Sequence, residues 1–223
     1  MKWQGLTSGQ QGQLTRVLAV VEADEHAPTA IRPAEQAMQA HVADSLVALD
    51  IEAVSTAERL ADLGSGVGFP GLALAIALPT AEMSLVESQR RKCEFLERAR
   101  AAGAVENAQV VCARAEEWQD GIEANDVVVA RALAAQPVVL EYAAPLLRTG
   151  GVLVDWRGRR DPGSEDAAQR AAALLGLHRQ EIRRVIPFEQ ATDRYLHVFV
   201  KDTATPPRFP RRAGMARKRP LAS

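Results

Sequence analysis

From residue 58 onward, segments typical of β-strands alternate with segments typical of α-helices, and this alternation constrains the fold more than any other feature. Strands that alternate with helices form a mostly parallel sheet with helices on both faces. The three consecutive valines at 127–129 suit a strand that is buried on both sides. Seven strands are predicted at 58–64, 82–88, 108–113, 126–132, 151–158, 181–188 and 194–202, the last two as a terminal pair. The intervening helices are predicted at 71–79, 89–103, 136–151 and 164–177, with Gly103 ending the second. The sequence therefore predicts an α/β fold.

Two further helices are predicted ahead of this alternation. Apolar residues at helical spacing predict an amphipathic helix over residues 10–25, and a second helix is predicted over 34–49 after two prolines interrupt the chain. We therefore expect three parts, which are an N-terminal helical extension (1–50), an α/β domain (51–202) and a C-terminal tail (203–223).

The composition limits the class of protein. Of the 223 residues, 47% are hydrophobic, which is enough for one substantial core. No apolar run approaches the roughly 20 residues of a membrane helix, and the N-terminus does not resemble a signal peptide. The two cysteines, Cys93 and Cys112, are too few for a disulfide framework or a structural zinc site, and we expect them to be free thiols. These features predict a cytoplasmic protein without a metal.

The net charge of −1 conceals an uneven distribution. The tail contains no acidic residue, whereas residues 1–202 have a net charge of −7. An acidic body with a basic end favours a polyanionic partner, although a disordered, solubilising tail is an equal alternative. The basic residues of the tail, which are candidate RNA contacts, are Arg208, Arg211, Arg212, Arg217, Lys218 and Arg219.

The most informative motif is the glycine-rich stretch "DLGSGVGFPG" that follows the first predicted strand of the alternation. Glycines allow positive φ and let a ligand approach the main chain closely. In α/β sheets, ligands bind beyond the carboxyl ends of the strands, where the strand order reverses. The loop is therefore a candidate site for a phosphate, a dinucleotide or a methyl donor.

The spacing of residues in the motif distinguishes between these three candidate ligands. A phosphate-binding P-loop would need Lys where Leu72 stands, so this alternative is excluded. The dinucleotide pattern G-x-G-x-x-G fits Gly66, Gly68 and Gly71. However, Asp62 ends the strand and Gly64 follows almost directly, and this register resembles the first motif of class I methyltransferases that use S-adenosylmethionine. The methyl donor is the preferred ligand.

Two acidic residues extend this interpretation. Glu87 ends the second strand, where a carboxylate can accept both hydroxyls of a ribose, and a solvated acid is the alternative. The segment "AEEW" after the third strand would place Glu116 or its backbone beside an adenine.

Several motifs together resemble one family. The segments "HVADSL", "DLGSGVGFPGLALAIALP", "VESQRRKCEFLERA", "ARAEEW" and "VARAL" occur in the order seen in the ribosomal RNA small subunit methyltransferase G family. The resemblance runs from about residue 29 to the C-terminus and includes the basic ending. It implies a Rossmann-like class I fold with a seven-stranded sheet, S-adenosylmethionine as methyl donor, and formation of 7-methylguanosine in 16S rRNA of the small ribosomal subunit.

The resemblance also assigns residues. By position, it places cofactor contacts at Gly64 and Phe69 in the loop, and at Ala115 and Glu116 beside the adenine. The motif and the strand ends add four further candidate cofactor contacts, which are Asp62, Gly66, Gly68 and Glu87. Arg131 matches an arginine near both the methyl donor and the target. His41 belongs to an "H-x-x-D-S" segment with Asp44 and Ser45, and it is a candidate RNA or packing contact.

The chemistry agrees with this target. Guanine N7 has a free lone pair, so its methylation needs placement and no general base. The chain has Ala130-Arg131-Ala132-Leu133 where amine methyltransferases have an Asn/Asp-Pro-Pro-aromatic motif. Arg131 is the candidate catalytic residue, because its guanidinium can donate twice to guanine O6 or to a phosphate. Its structural alternative is an ion pair with Asp62 or Glu116. Two alternative functions stay open. The chain could be a methyltransferase for a small molecule or a protein, or a non-catalytic module that binds RNA or the ribosome.

Overall fold

The computed structural model describes residues 5–222 and contains one seven-stranded sheet in the order β3-β2-β1-β4-β5-β7-β6. The strands are β1 (Arg59–Leu63), β2 (Glu82–Val86), β3 (Ala108–Val111), β4 (Asn125–Arg131), β5 (Leu147–Arg157), β6 (Leu177–Arg184) and β7 (Tyr195–Lys201). The first five are parallel, and β7 pairs antiparallel with both β5 and β6. The predicted α/β fold is confirmed. The strand order reverses between β1 and β4, which pair directly, so this edge is where a ligand site is expected.

Helices cover both faces of the sheet. They are α1 (Ser8–Ala23), α2 (Ala34–Ala37), α3 (Asp44–Leu46), α4 (Glu52–Ser55), α5 (Gly71–Ala77), α6 (Arg90–Gly103), α7 (Gln136–Ala143), α8 (Pro162–Leu175) and α9 (Met215–Lys218). Side chains that alternate along each central strand enter two different cores. Val127 and Val129 belong to the core beneath α1, α5 and α6, whereas Val128 belongs to the core beneath α7 and α8. This explains why β4 is apolar at every position from Val127 to Ala130.

Several predicted boundaries are wrong. The helix predicted over 136–151 ends at Ala143 because Pro145 interrupts it, and β5 already begins at Leu147. β6 begins at Leu177, four residues earlier than predicted, directly after Gly176 ends α8 in a left-handed conformation (φ 83°).

The N-terminal helices pack on the α/β part of the chain. Thr7 caps α1 in a capping box with Gln10, and the buried face of α1 joins the core of α6. Gly103 does not end α6 by adopting a left-handed conformation, because Ala104 does so (φ 49°). Instead, a Cβ at Gly103 would lie 2.6 Å from Val17 Cγ2, so this glycine allows α1 to approach α6 closely.

The expectation of two free thiols is wrong, since Cys93 and Cys112 form a disulfide with their Cα atoms 5.8 Å apart. Cys93 lies in the first turn of α6, and Cys112 directly follows β3. Val86 at the end of β2 pairs with Val111 at the end of β3, which brings the two segments together. No helix in the described part of the chain is long and apolar enough to cross a membrane.

The C-terminal residues fold back onto the domain. Phe209 is 8% exposed and Ala216 is 1% exposed, and both belong to the core beneath α7 and α8. We call residues 209–219 the C-terminal strap. The alternative of a disordered tail therefore does not hold for this segment.

Candidate active site

The glycine-rich loop leaves β1 at the reversal point of the sheet. Gly64, Gly66 and Gly68 have φ values of 70°, 53° and 98°, which favour glycine. A Cβ at Gly64 would also lie 2.5 Å from Leu133 Cδ1, so the end of this side chain would have to shift. The loop therefore presents bare main chain at the carboxyl edge of the sheet.

Asp62 holds this loop from beneath. Its carboxylate is 1% exposed and accepts a hydrogen bond from the Gly71 amide at 3.0 Å. Burial raises the pKa of Asp62 to about 6, against the hydrogen bond from Gly71 and the nearby charge of Arg131. Asp62 thus fixes the path of the loop, and its cofactor contact stays a prediction.

Glu87 is held on the other side of the loop. One carboxylate oxygen accepts the Gly66 amide at 3.2 Å, and the other accepts the Gln89 amide at 2.9 Å. The side chain is 5% exposed, so its orientation is fixed by the main chain. Each oxygen has a second lone pair, which can accept a hydroxyl of a ribose.

Two cavities flank the loop, and Gly64 lines both of them. The larger, which we call the target cavity, has a volume of about 530 Å³ and is lined by residues that include Gly66, Phe69, Arg131, Trp156, Arg157 and Arg194. The smaller, which we call the adenine-side cavity, has a volume of about 60 Å³ and is lined by residues that include Ser88, Ala115, Glu116, Leu133, Tyr142 and Arg217.

Arg131 extends from the end of β4 into the wall of the target cavity. It donates to Asp44 at 2.8 Å and to the Phe69 carbonyl at 3.3 Å, and it is 16% exposed. The predicted alternative partners, Asp62 and Glu116, are not the residues with which it forms an ion pair. Asp44, from the "H-x-x-D-S" segment, holds the guanidinium instead, and the sequence did not reveal this pair.

His41 packs beside Arg131. Its ring stacks on Phe69 with centroids 5.3 Å apart and an interplanar angle of 10°. Nδ1 lies 3.5 Å from the Arg131 guanidinium, and Nε2 lies 3.1 Å from the Thr29 hydroxyl. Burial and the charge of Arg131 lower the pKa of His41 to about 4, so the imidazole is neutral at pH 7. His41 is 7% exposed.

Two further arginines that sequence reasoning did not assign line the target cavity. Arg157, at the end of β5, donates through Nε to Asp155 at 2.7 Å. Arg194 lies with Nε 3.5 Å from the second carboxylate oxygen of Asp44. Arg157 ends β5, and Arg194 directly precedes β7. These positions could have indicated both residues from the sequence, because ligands in α/β sheets bind at the ends of strands. Asp155 is buried, and burial raises its pKa to about 6.

The predicted RNA contacts at the C-terminus do not share one environment. Arg211 donates through Nε to Glu141, which is 1% exposed, at 2.6 Å, and Arg217 donates to the Leu133 carbonyl at 2.9 Å. Arg217 is nevertheless exposed, as are Arg208, Arg212, Lys218 and Arg219. Among residues 5–222 no group of three or more His, Cys, Asp or Glu side chains is arranged to hold a metal ion.

Comparison with known proteins identifies the family of this chain. The family model described as rRNA small subunit methyltransferase G matches residues 13–191. A protein of that name from Chloroflexus aggregans is 39% identical over 224 residues, covering 97% of this chain and 92% of the relative. Another from Moorella thermoacetica is 35% identical over 196 residues, covering 86% of this chain and 82% of the relative.

Solved structures agree on the fold. A predicted O-methyltransferase from Agrobacterium tumefaciens aligns with a TM-score of 0.56 at 26% identity, covering 73% of this chain and 80% of that one. Fibrillarin from Aeropyrum pernix, solved with bound S-adenosyl-L-methionine, aligns with a TM-score of 0.57 at 18% identity, covering 71% of this chain and 73% of that one. The fold is that of the class I methyltransferases, and the chain belongs to the rRNA small subunit methyltransferase G family.

Proposed function

We propose that this protein transfers the methyl group of S-adenosylmethionine to N7 of a guanine in 16S rRNA of the small ribosomal subunit, forming 7-methylguanosine. Membership of the family supports this activity. The observation that carries the proposal is the placement of Arg131 in the same cavity as the bare glycine loop. An rRNA substrate implies that the protein acts in the cytoplasm.

The residues around the loop fit the proposed cofactor. Gly64 and Gly66 line the target cavity with main chain alone, which leaves room there for the methionine end. Glu87 would accept the ribose hydroxyls, while Ala115 and Glu116 line the cavity assigned to the adenine. When bound, S-adenosylmethionine supplies an electrophilic methyl group on a sulfonium.

The surrounding side chains suit attack by an unprotonated nitrogen. Guanine N7 has no proton to lose, and the neighbouring His41 is neutral, buried and stacked on Phe69. Catalysis is therefore a matter of in-line placement and exclusion of water. The two terminal nitrogens of Arg131 contact Asp44, Ala40, Phe69 and His41. Nε–H would therefore be the donor to guanine O6, and this contact would turn N7 toward the loop.

Positive charge near the target cavity suits an RNA ligand. Arg157 and Arg194 lie at the target cavity on the side away from the adenine-side cavity. The exposed basic residues of the C-terminus would add phosphate contacts. We assign His41 to orienting Phe69 and Arg131, since it is buried, and not to direct contact with RNA.

Methylation of small-subunit rRNA by the purified protein tests the proposal. Unmodified 16S rRNA and reconstituted small subunits should each be incubated with the protein and S-adenosylmethionine, and nucleosides should be identified by mass spectrometry. We expect 7-methylguanosine with the wild type in at least one substrate, and none with Gly64→Asp, whose side chain would meet Leu133.

The control for this variant is Gly163→Ala. A Cβ at Gly163 would come no closer than 3.7 Å to Asp161, so this variant should retain full activity. Methylation of a base atom other than N7, or no methylation of either substrate, would refute the proposal.

A further inference from the structure

We propose that the C-terminal strap completes the adenine end of the cofactor site, with Gly214 and Arg217 as positioning residues. This inference rests on the proposed function, because it assumes S-adenosylmethionine as the ligand. It assigns the strap a role in binding the cofactor in addition to any contact with RNA.

The strap is anchored at several points on the body of the protein. Arg211 forms an ion pair with Glu141, a buried residue of α7, and donates through Nη2 to the Arg219 carbonyl at 2.9 Å. Phe209 and Ala216 are buried in the core beneath α7 and α8. Removing one partner of a buried ion pair is costly, so these contacts hold the strap in one position.

In this position the strap contacts Glu116, the acidic residue that was predicted to lie beside the adenine. The Gly214 amide donates to the Glu116 carboxylate at 2.9 Å. Gly214 has a φ of 80°, which a residue with a side chain rarely adopts, and this conformation turns the chain into α9. One oxygen of Glu116 is thereby fixed, and the orientation of the carboxylate at the adenine-side cavity depends on the strap.

Arg217 contributes to the same cavity. It lines the adenine-side cavity together with Glu116 and Tyr142. Burial and the charge of Glu116 raise the pKa of Tyr142, while a hydrogen bond with Arg217 acts in the opposite direction. The three side chains are therefore close enough to interact, and Arg217 balances the negative charge of Glu116.

Arg217 also links the strap to the glycine-rich loop. It donates to the carbonyl of Leu133, whose side chain fills the space above Gly64. A cofactor that orders the loop and the adenine-side cavity would therefore also stabilise the docked strap. Because such coupling is reciprocal, a docked strap strengthens cofactor binding by the same factor.

The affinity for S-adenosylmethionine, measured by titration calorimetry without RNA, tests this inference. We expect Arg217→Ala to weaken binding about tenfold, the effect of losing a charged hydrogen bond and a balancing charge. Arg212→Ala is the matched control, because Arg212 is an exposed arginine of the same strap that does not line the cavity. Its affinity should stay within about twofold of the wild type.

Limited trypsin digestion of the wild-type chain provides a second measurement that does not depend on a variant. Saturating S-adenosylhomocysteine should slow cleavage after Arg212 and Lys218, but not after Arg184, which is exposed in β6 on the far edge of the sheet. Equal affinities of wild type and Arg217→Ala, or strap cleavage that the ligand does not change, would overturn the inference. A wild-type chain that binds no S-adenosylmethionine would contradict the proposed function itself.

Discussion

At the scale of single residues, the pairing of Arg131 with Asp44 defines the site. The sequence indicated Arg131 as the candidate catalytic residue, because it ends a strand and its guanidinium can donate twice to guanine O6 or to a phosphate. The sequence did not reveal its partner, which lies 87 positions away in the chain on an N-terminal helix. Separation of this size leaves no local pattern, and only the packing of the N-terminal helices against the sheet brings the two charges together.

Loss of the Asp44 charge should affect both stability and activity. In Asp44→Asn the Arg131 guanidinium stays largely buried without its counter-charge, and we expect the free energy of unfolding to fall by about 3 kcal/mol. A displaced guanidinium should reduce kcat/KM about 100-fold. Denaturant unfolding and single-site methylation assays would measure the two effects.

The matched control is an exposed ion pair. Glu94→Gln breaks the pair with Arg90, whose side chains are 59% and 90% exposed, and we expect a change below about 0.5 kcal/mol. Similar costs for the two substitutions would contradict the structural role of Asp44.

His41 should contribute a measurable pH dependence. Its pKa is about 4 in the folded state, against 6.5 for an unperturbed histidine, so the unfolded chain takes up a proton first as the pH falls. Stability is therefore lost as the pH drops below about 6.5, and this loss continues down to about pH 4. Between pH 7 and pH 5, the wild type should lose about 2 kcal/mol more than His41→Gln. Parallel curves for the two proteins would show that His41 titrates normally.

At the scale of elements, the sequence predicted the presence of all seven strands and their succession along the chain, because alternation of apolar strands and helices is a strong local signal. It misplaced the end of α7, where Pro145 breaks an apolar segment that otherwise continues. It also missed the Cys93–Cys112 disulfide, since that contact depends on the register of β2 and β3. Local sequence patterns were enough to predict the strands and helices. Contacts between these elements could not be predicted, because they depend on how the strands pair in the folded sheet.

The close packing of α1 on α6 is testable with two glycines. Gly103→Ala would place a Cβ 2.6 Å from Val17 and 3.0 Å from Val105, and such overpacking should cost about 1–3 kcal/mol. Gly12→Ala, within α1, would meet only the flexible Arg16 side chain at 3.5 Å and should stabilise by about 0.5–1 kcal/mol. Thermal unfolding would show opposite shifts, and shifts of the same sign would contradict this packing.

At the scale of the whole molecule, the uneven charge distribution has a structural basis. The basic C-terminus is not a separate arm. It contacts Glu141 of α7, Glu116 after β3 and Leu133 after β4, beside the candidate active site. The sequence predicted the positive charge and its polyanionic partner, but not the folding back, because the anchoring partners Glu116 and Glu141 are distant in sequence. The strap thus brings positive charge to an otherwise acidic body.

This arrangement predicts how RNA affinity depends on salt. If Arg212 contacts a phosphate, Arg212→Ala should weaken RNA binding and make the slope of log K against log salt shallower by about one. Arg211→Lys, at the inward-facing ion pair with Glu141, should leave that slope unchanged. The slope would be obtained from binding titrations at several salt concentrations, and an unchanged slope for Arg212→Ala would exclude this contact.

The central claim, that the protein makes 7-methylguanosine in 16S rRNA, is tested most directly in cells. Nucleosides of 16S rRNA from a strain lacking the gene would be compared by mass spectrometry with those of the parent strain. We predict the loss of one 7-methylguanosine, its return with the wild-type gene, and no return with Gly64→Asp. An unchanged content of 7-methylguanosine in the 16S rRNA of the deletion strain would contradict the account.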